Sequence, residues 1–242
     1  MSWEVLLTGD ATDLRILADT LKDGEFQVTK DGQAYVFRST RFASLDSAAA
    51  VRECAIELVT ALSGSTRLEL SARQGIGVGA PVFWVRPDGK RDTTVLVSPA
   101  VTYERAMPLI ALNGATIHRP ADPIARWLPL VSHDPAVTKA LRLRNADDLD
   151  WVDLSRLYEV IEHDVGSLIH QLGWASKNEC SIFTGTANSV AAVGDKARHG
   201  ADKHPPPSKT MSLAHARLLI DRILRAWLEW KARQHDRGAS TS

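Results

Sequence analysis

The stretch LSRLYEVIEHDVGSLIHQL, residues 154–172, decides how the chain is read. An apolar stripe runs along it through Leu154, Leu157, Tyr158, Ile161, Val165, Leu168, Ile169 and Leu172. They step by three or four residues, or lie side by side, which lines one face of a helix with 3.6 residues per turn. The spacing predicts one helix along the whole stretch, capped by Asp153 and closed by Gly173. A helix with one apolar stripe needs other apolar faces to cover it. The flanking sequence supplies them. Asp134-Pro135 can start a helix to about Asn145, and Ser176 can cap another carrying Cys180, Phe183 and Ala187. Ser212 can cap a last helix striped by Leu213, Ala216, Leu219, Ile220, Ile223, Leu224, Trp227 and Trp230. A helical bundle over residues 125–235 is expected, with a flexible tail at 236–242 after the helix ends near Arg233.

The N-terminal part reads differently. Trp3 to Leu7 is a short apolar strand, and Asp10 and its neighbours offer capping oxygens to a helix bearing Leu14, Leu17 and Leu21. Phe26 to Lys30 and Ala34 to Ser39 flank Asp31-Gly32, a hairpin signal. An alanine-rich helix is expected from Ser44 to Leu62, ended by Gly64 and followed by a strand at Arg67 to Ser71. A second hairpin pairs Pro81 to Arg86 with Thr93 to Ser98 around Pro87-Asp88-Gly89-Lys90. The order predicts the α+β class. An N-terminal mixed α/β domain with antiparallel hairpins, residues 1–105, precedes an irregular linker, 106–124, and the C-terminal α-helical bundle.

Composition excludes several classes. The 242 residues carry 29 Lys+Arg against 29 Asp+Glu, with 44% hydrophobic residues, so neither disorder nor bulk coating of DNA is indicated. No apolar run reaches membrane-spanning length and no secretory signal opens the chain, so a cytoplasmic protein without membrane contact is expected. Cys54 and Cys180 lie far apart in sequence and suggest free thiols. Gly75-Ile-Gly-Val-Gly79 lacks a following helix and reads as strand-entry glycine rather than a dinucleotide loop. The last helix carries Arg217, Arg222, Arg225, Lys231 and Arg233, a mildly basic back expected to face solvent.

One segment concentrates polar chemistry. Between two apolar helices lie Asn188, Asp195, Lys196, Arg198, His199, Asp202, Lys203 and His204. A loop so placed is held by a scaffold and open to ligand. Its structural reading pairs Arg198 with Asp164 or Glu162 of the long helix. A metal set of Asp195, His199 and His204 is an alternative, though its spacing fits known ligand patterns loosely. Glu162 and His163 are candidate supports for Arg198 if the loop folds over their face of the helix.

Arg198 and His204 form R-x5-H with the polar His199 directly after the arginine. This resembles the R-x4–6-H motif of the HEPN superfamily of helical-bundle ribonucleases. The resemblance implies catalytic roles for Arg198, His204 and His199. Arg198 would hold the scissile phosphate, His204 would move a proton near the ribose 2′-hydroxyl, and His199 would orient the site. It implies metal-independent endoribonuclease chemistry with no cofactor, RNA as partner, a homodimer and a role in bacterial defence or regulation. Gly200 within the motif and Pro205-Pro206-Pro207 after it depart from the family pattern. Asp195, Asn188, Glu162 and His163 would be supporting residues, with no metal bound. The wider C-terminal pattern also resembles bacterial two-domain proteins: Thr186-Ala-Asn188, Gly194-Asp195, Arg198-His199-Gly200, Pro205-Pro206, Met211-Ser212-Leu213 and Trp227. It implies a bacterial source and brings no activity with it. A non-catalytic adaptor is the second functional expectation: a structural polar loop at 194–207, with a protein partner held by the N-terminal domain.

Overall fold

A computed structural model describes residues 2–72, 74–96, 122–199 and 208–239. The chain is α+β and divides into two compact units. Met1–Val59 with Ile76–Asp122 form the first, and Thr60–Gly75 with Pro123–Ser242 form the second. The linker expected at 106–124 lies almost wholly outside the described residues.

The first unit is built on five antiparallel strands in the order β2-β3-β1-β4-β5. They are β1 (Ser2–Thr8), β2 (Phe26–Asp31), β3 (Ala34–Ser39), β4 (Gly77–Val85) and β5 (Arg91–Val95). Both expected hairpins form, β2 with β3 and β4 with β5. Helix α1 (Ala11–Thr20) begins where the Asp10 carboxylate accepts the Thr12 and Asp13 amides. The buried set includes Val5, Leu7, Leu14, Leu17, Phe26, Val28, Phe37 and Val82. On β1, Glu4 is fully buried between two arginines. Arg38 of β3 pairs with it, and Nη2 of Arg91 reaches Oε2 at 2.6 Å. The glycines of 75–79 lie at the entry and within β4. A Cβ at Gly79 would stand 2.8 Å from the Leu6 side chain, so close strand packing accounts for that glycine.

Helix α2 (Ala48–Glu69) overturns one expectation. Gly64 does not end it, and residues 67–69 are helical rather than a strand. The Ser65 and Thr66 hydroxyls bond back to the carbonyls of Ala61 and Leu62, so these polar residues stay within the helix. Gly64 serves contact instead: a Cβ there would lie 1.9 Å from the Leu141 carbonyl oxygen.

The second unit holds α3 (Asp122–Trp127), α4 (Pro135–Arg144), α5 (Trp151–Val165), α6 (Leu168–Gln171), α7 (Lys177–Asn188), α8 (Val190–Val193) and α9 (Leu213–Ala239). Asp134 and Ser176 cap α4 and α7 as expected, and Ser212 Oγ accepts the His215 amide at the start of α9. The cap of α5 is Asp150, one turn earlier than Asp153. Asp153 instead closes a capping box by accepting the Asp150 amide. The long stripe is two helices. Gly166, at φ +51°, stops α5 and takes a backbone turn costly to any other residue, after which α6 resumes. Helix α9 stays helical to Ala239, past the end expected at Arg233. Trp127, Leu141, Leu154, Ile161, Phe183, Ile220, Ile223 and Trp227 are among the buried residues of this unit.

Four of the five cations expected on a solvated back of α9 are instead paired with neighbouring elements, and the fifth, Arg233, is exposed as expected. Arg217 bonds Leu149 O and pairs with Asp148, and Arg222 bonds Trp174 O and Glu179. Arg225 pairs with Glu69, and Lys231 sits 2.8 Å from both Asp134 and Asp164. They clamp α9 to its neighbours because each guanidinium or amine reaches a turn or helix end rich in acceptors. Burial alone would lower the Lys231 pKa, but its hydrogen bonds to the two aspartates outweigh that and raise it.

Glu179 gives an acid-stability prediction. Hydrogen bonds from Arg222 and then from Ser176 hold its carboxyl at about 2. An unfolded chain titrates glutamate near ~4.3. The capping box therefore contributes fully above that value and is lost as pH falls through about 2. Carboxyl NMR should show Glu179 still ionised at pH ~3, when exposed glutamates are protonated. Glu179→Gln should remove this acid-dependent component from the unfolding profile.

Candidate functional site

The polar segment is anchored at both ends to the last turn of α7. Ser189 Oγ accepts the Ala192 amide and starts α8, and Gly194 turns the chain into a short 3-10 turn, Gly194–Lys196. The Arg198 amide then bonds Ala187 O at 2.8 Å. On the far side, the Met211 amide bonds Thr186 Oγ1 at 3.0 Å. Thr186 is buried and gives its own hydroxyl hydrogen to Ile182 O, so it joins helix and loop at once.

Arg198 forms an ion pair with Glu159 of α5. The arginine side chain is 38% exposed and the glutamate side chain 42%, so the pair sits at the rim of the bundle, with the contacting Glu159 Oε1 itself buried. The expected partners were Asp164 or Glu162, and neither is used. Asp164 accepts Trp227 Nε1 at 2.8 Å and pairs with Lys231, while Glu162 accepts the Tyr158 hydroxyl at 3.0 Å. Glu159 is the residue that sequence reading missed. It lies three residues before Glu162, and nothing local says which acidic residue of a polar helix face meets a loop from elsewhere.

Among the other candidates, Asn188 ends α7 half-buried, with its Oδ1 inside the protein. Asp195 and His199 are exposed beside Arg198 in sequence, and His163 is exposed on α5. His204 lies outside the described residues, as does Gly200 with the prolines after it. The described structure therefore joins Arg198 to α5 through Glu159, not through Glu162 or His163. Among the described residues, no group of three or more His, Cys, Asp or Glu could hold a metal ion; the set built on Asp195 and His199 needs His204 to be complete. Burial pushes both free thiols, Cys54 and Cys180, above the ordinary value, opposite to what a nucleophilic cysteine needs. No described helix is long and apolar enough to cross a membrane.

Comparison of the chain with protein-family models, with curated proteins and with solved structures yields no match.

Proposed function

We propose that the chain is a metal-independent RNA-cleaving protein whose site lies in the connection between α7 and α9. The observation that supports this reading best is the fixed, partly exposed Arg198. Its backbone is held to Ala187, and its guanidinium stands at the bundle rim beside Glu159. A guanidinium matches two phosphate oxygens at once, and a partly exposed ion pair is weak enough for a phosphate to displace the carboxylate. Arg198 then neutralises the scissile phosphate and His199 orients it. His204 takes the proton of the 2′-hydroxyl as its oxygen bonds phosphorus. The bond to the 5′-oxygen breaks, and the proton is returned to that leaving oxygen. The products are a 2′,3′-cyclic phosphate and a 5′-hydroxyl. RNA and a second copy of the chain are the partners of this reading, and a cytoplasmic role in bacterial defence or regulation is its setting.

The test is cleavage of RNA in EDTA by the wild type, Arg198→Ala and His204→Ala. Loss of at least ~100-fold in both variants, with unchanged melting temperature, is the expected result. The ion pair itself favours a second reading, a non-catalytic binding module with a structural loop, because that loop would use Arg198 in the same way. Under it no protein cleaves RNA, and Arg198→Ala only lowers stability, by at most ~1 kcal/mol for a rim pair.

A further inference from the structure

A second arginine cluster lies in the same unit, at the C-terminal end of α2, and shares no residue with the proposed nuclease site. Arg67 belongs to the last turn of α2 and is 5% exposed. A buried guanidinium keeps its charge and needs an anion. It forms an ion pair with Asp147, in the turn between α4 and α5, whose side chain is 83% exposed. The pairing therefore joins a fixed, desolvated cation to a hydrated carboxylate on the protein surface. Arg144, at the end of α4, lines the same place and is rigidly oriented. Its Nε and Nη2 hold Asp221 at 2.7 and 3.1 Å, and Nη2 also lies 3.4 Å from Arg67 O.

These two arginines open onto a cleft of about 330 Å³ lined also by Ser71, Ala72 and Asp147. That is the lower end of the size range of small-ligand sites. The backbone around the cleft is unusual. Ser71 is a non-glycine residue at φ +55°, a conformation that clusters at ligand clamps. Gly75 passes so close that a Cβ there would stand 3.0 Å from Arg67 Nη2.

The geometry points to a binding site for a phosphate dianion, free or as a small monoester, in which the ligand replaces Asp147 on Arg67. Arg67 and Arg144 are balanced by Asp147 and Asp221, so a monoanion that displaces Asp147 only exchanges one charge for another. A phosphate monoester carries close to two charges above its second pKa of ~6, so it adds attraction, offering acceptor oxygens to the Arg67 guanidinium that Asp147 vacates and a second negative charge to the neighbouring Arg144, whose fork stays on Asp221. A phosphodiester, such as an RNA backbone linkage, has one charge and lacks this advantage.

The test is NMR or calorimetric titration of the full chain with inorganic phosphate, adenosine 5′-monophosphate and a dinucleoside phosphodiester. Asp147→Asn removes the competing carboxylate and should tighten phosphate binding about tenfold, equivalent to ~1.4 kcal/mol. The asparagine amide oxygen still accepts from Arg67, and a melting curve of Asp147→Asn beside the wild type checks that the variant is folded. Arg144→Met should weaken binding by a similar factor. Affinity should rise as pH passes ~6, where the second proton leaves. Tighter binding of the nucleotide than of inorganic phosphate assigns the site to a monoester, and equal binding assigns it to free phosphate. Equal affinity in wild type and Asp147→Asn, no binding in either, or binding of the diester as tight as the monoester would overturn the proposal.

Discussion

Gly64→Ala should destabilise the second unit by more than ~3 kcal/mol, although alanine is the better helix former. In an exposed helix the same change stabilises by about 1 kcal/mol. Here the added methyl would lie 1.9 Å from the Leu141 carbonyl oxygen and 2.8 Å from its carbonyl carbon. Both atoms are backbone, so no rotamer change relieves the clash, and the last turns of α2 must part from α4. Parting them also loosens the ends that hold Arg67 and Arg144. Thermal unfolding should show the second unit melting at least ~6 °C lower, at ~2–4 °C per kcal/mol for a chain of this size. A variant as stable as the wild type would mean that α2 and α4 do not meet at this glycine.

The second large effect concerns the sheet. Glu4→Leu should cost the first unit about 2–3 kcal/mol, and Glu4→Gln somewhat less, because the amide keeps one hydrogen bond. Glu4 is fully buried and pairs with Arg38 and Arg91. Removing it leaves two guanidiniums over an apolar patch. The penalty stays below the ~3–5 kcal/mol of a wholly buried pair, because Arg38 and Arg91 are 38% and 30% exposed and can regain water. Arg91 also keeps Asp31 and its place over the Phe83 ring. Urea unfolding of both variants against the wild type measures the difference. An unchanged midpoint would show that the buried carboxylate adds nothing net.

Much of the fold was legible because short-range chemistry decides it. Asp31-Gly32 and Pro87-Asp88-Gly89 formed hairpin turns, and Asp10, Asp134, Ser176 and Ser212 capped the helices that follow them. Glycine was where reading failed, because its two uses look alike in one dimension. Gly64 lies where another helix's backbone presses in, although its sequence context is that of a helix stop. Gly166 takes a left-handed turn and does stop a helix, yet the apolar stripe continued past it. Only the long-range partner distinguishes the two. The site was half legible for the same reason. The loop carrying Arg198 is marked by composition, whereas the acid it meets is a matter of how α5 is rotated, and that helix offers four acids, Asp153, Glu159, Glu162 and Asp164.

The two stitches from Arg198 to Ala187 and from Met211 to Thr186 have an evolutionary consequence. They bring the ends of the 12 residues from 199 to 210 to adjacent positions on one helical turn. Closing a longer loop between fixed ends costs only ~0.6 kcal/mol per doubling of its length. The insert can therefore lengthen, shorten or change composition over generations without dislodging the arginine at its border. The anchored border and the residues it bounds are thus separable parts of a single connection.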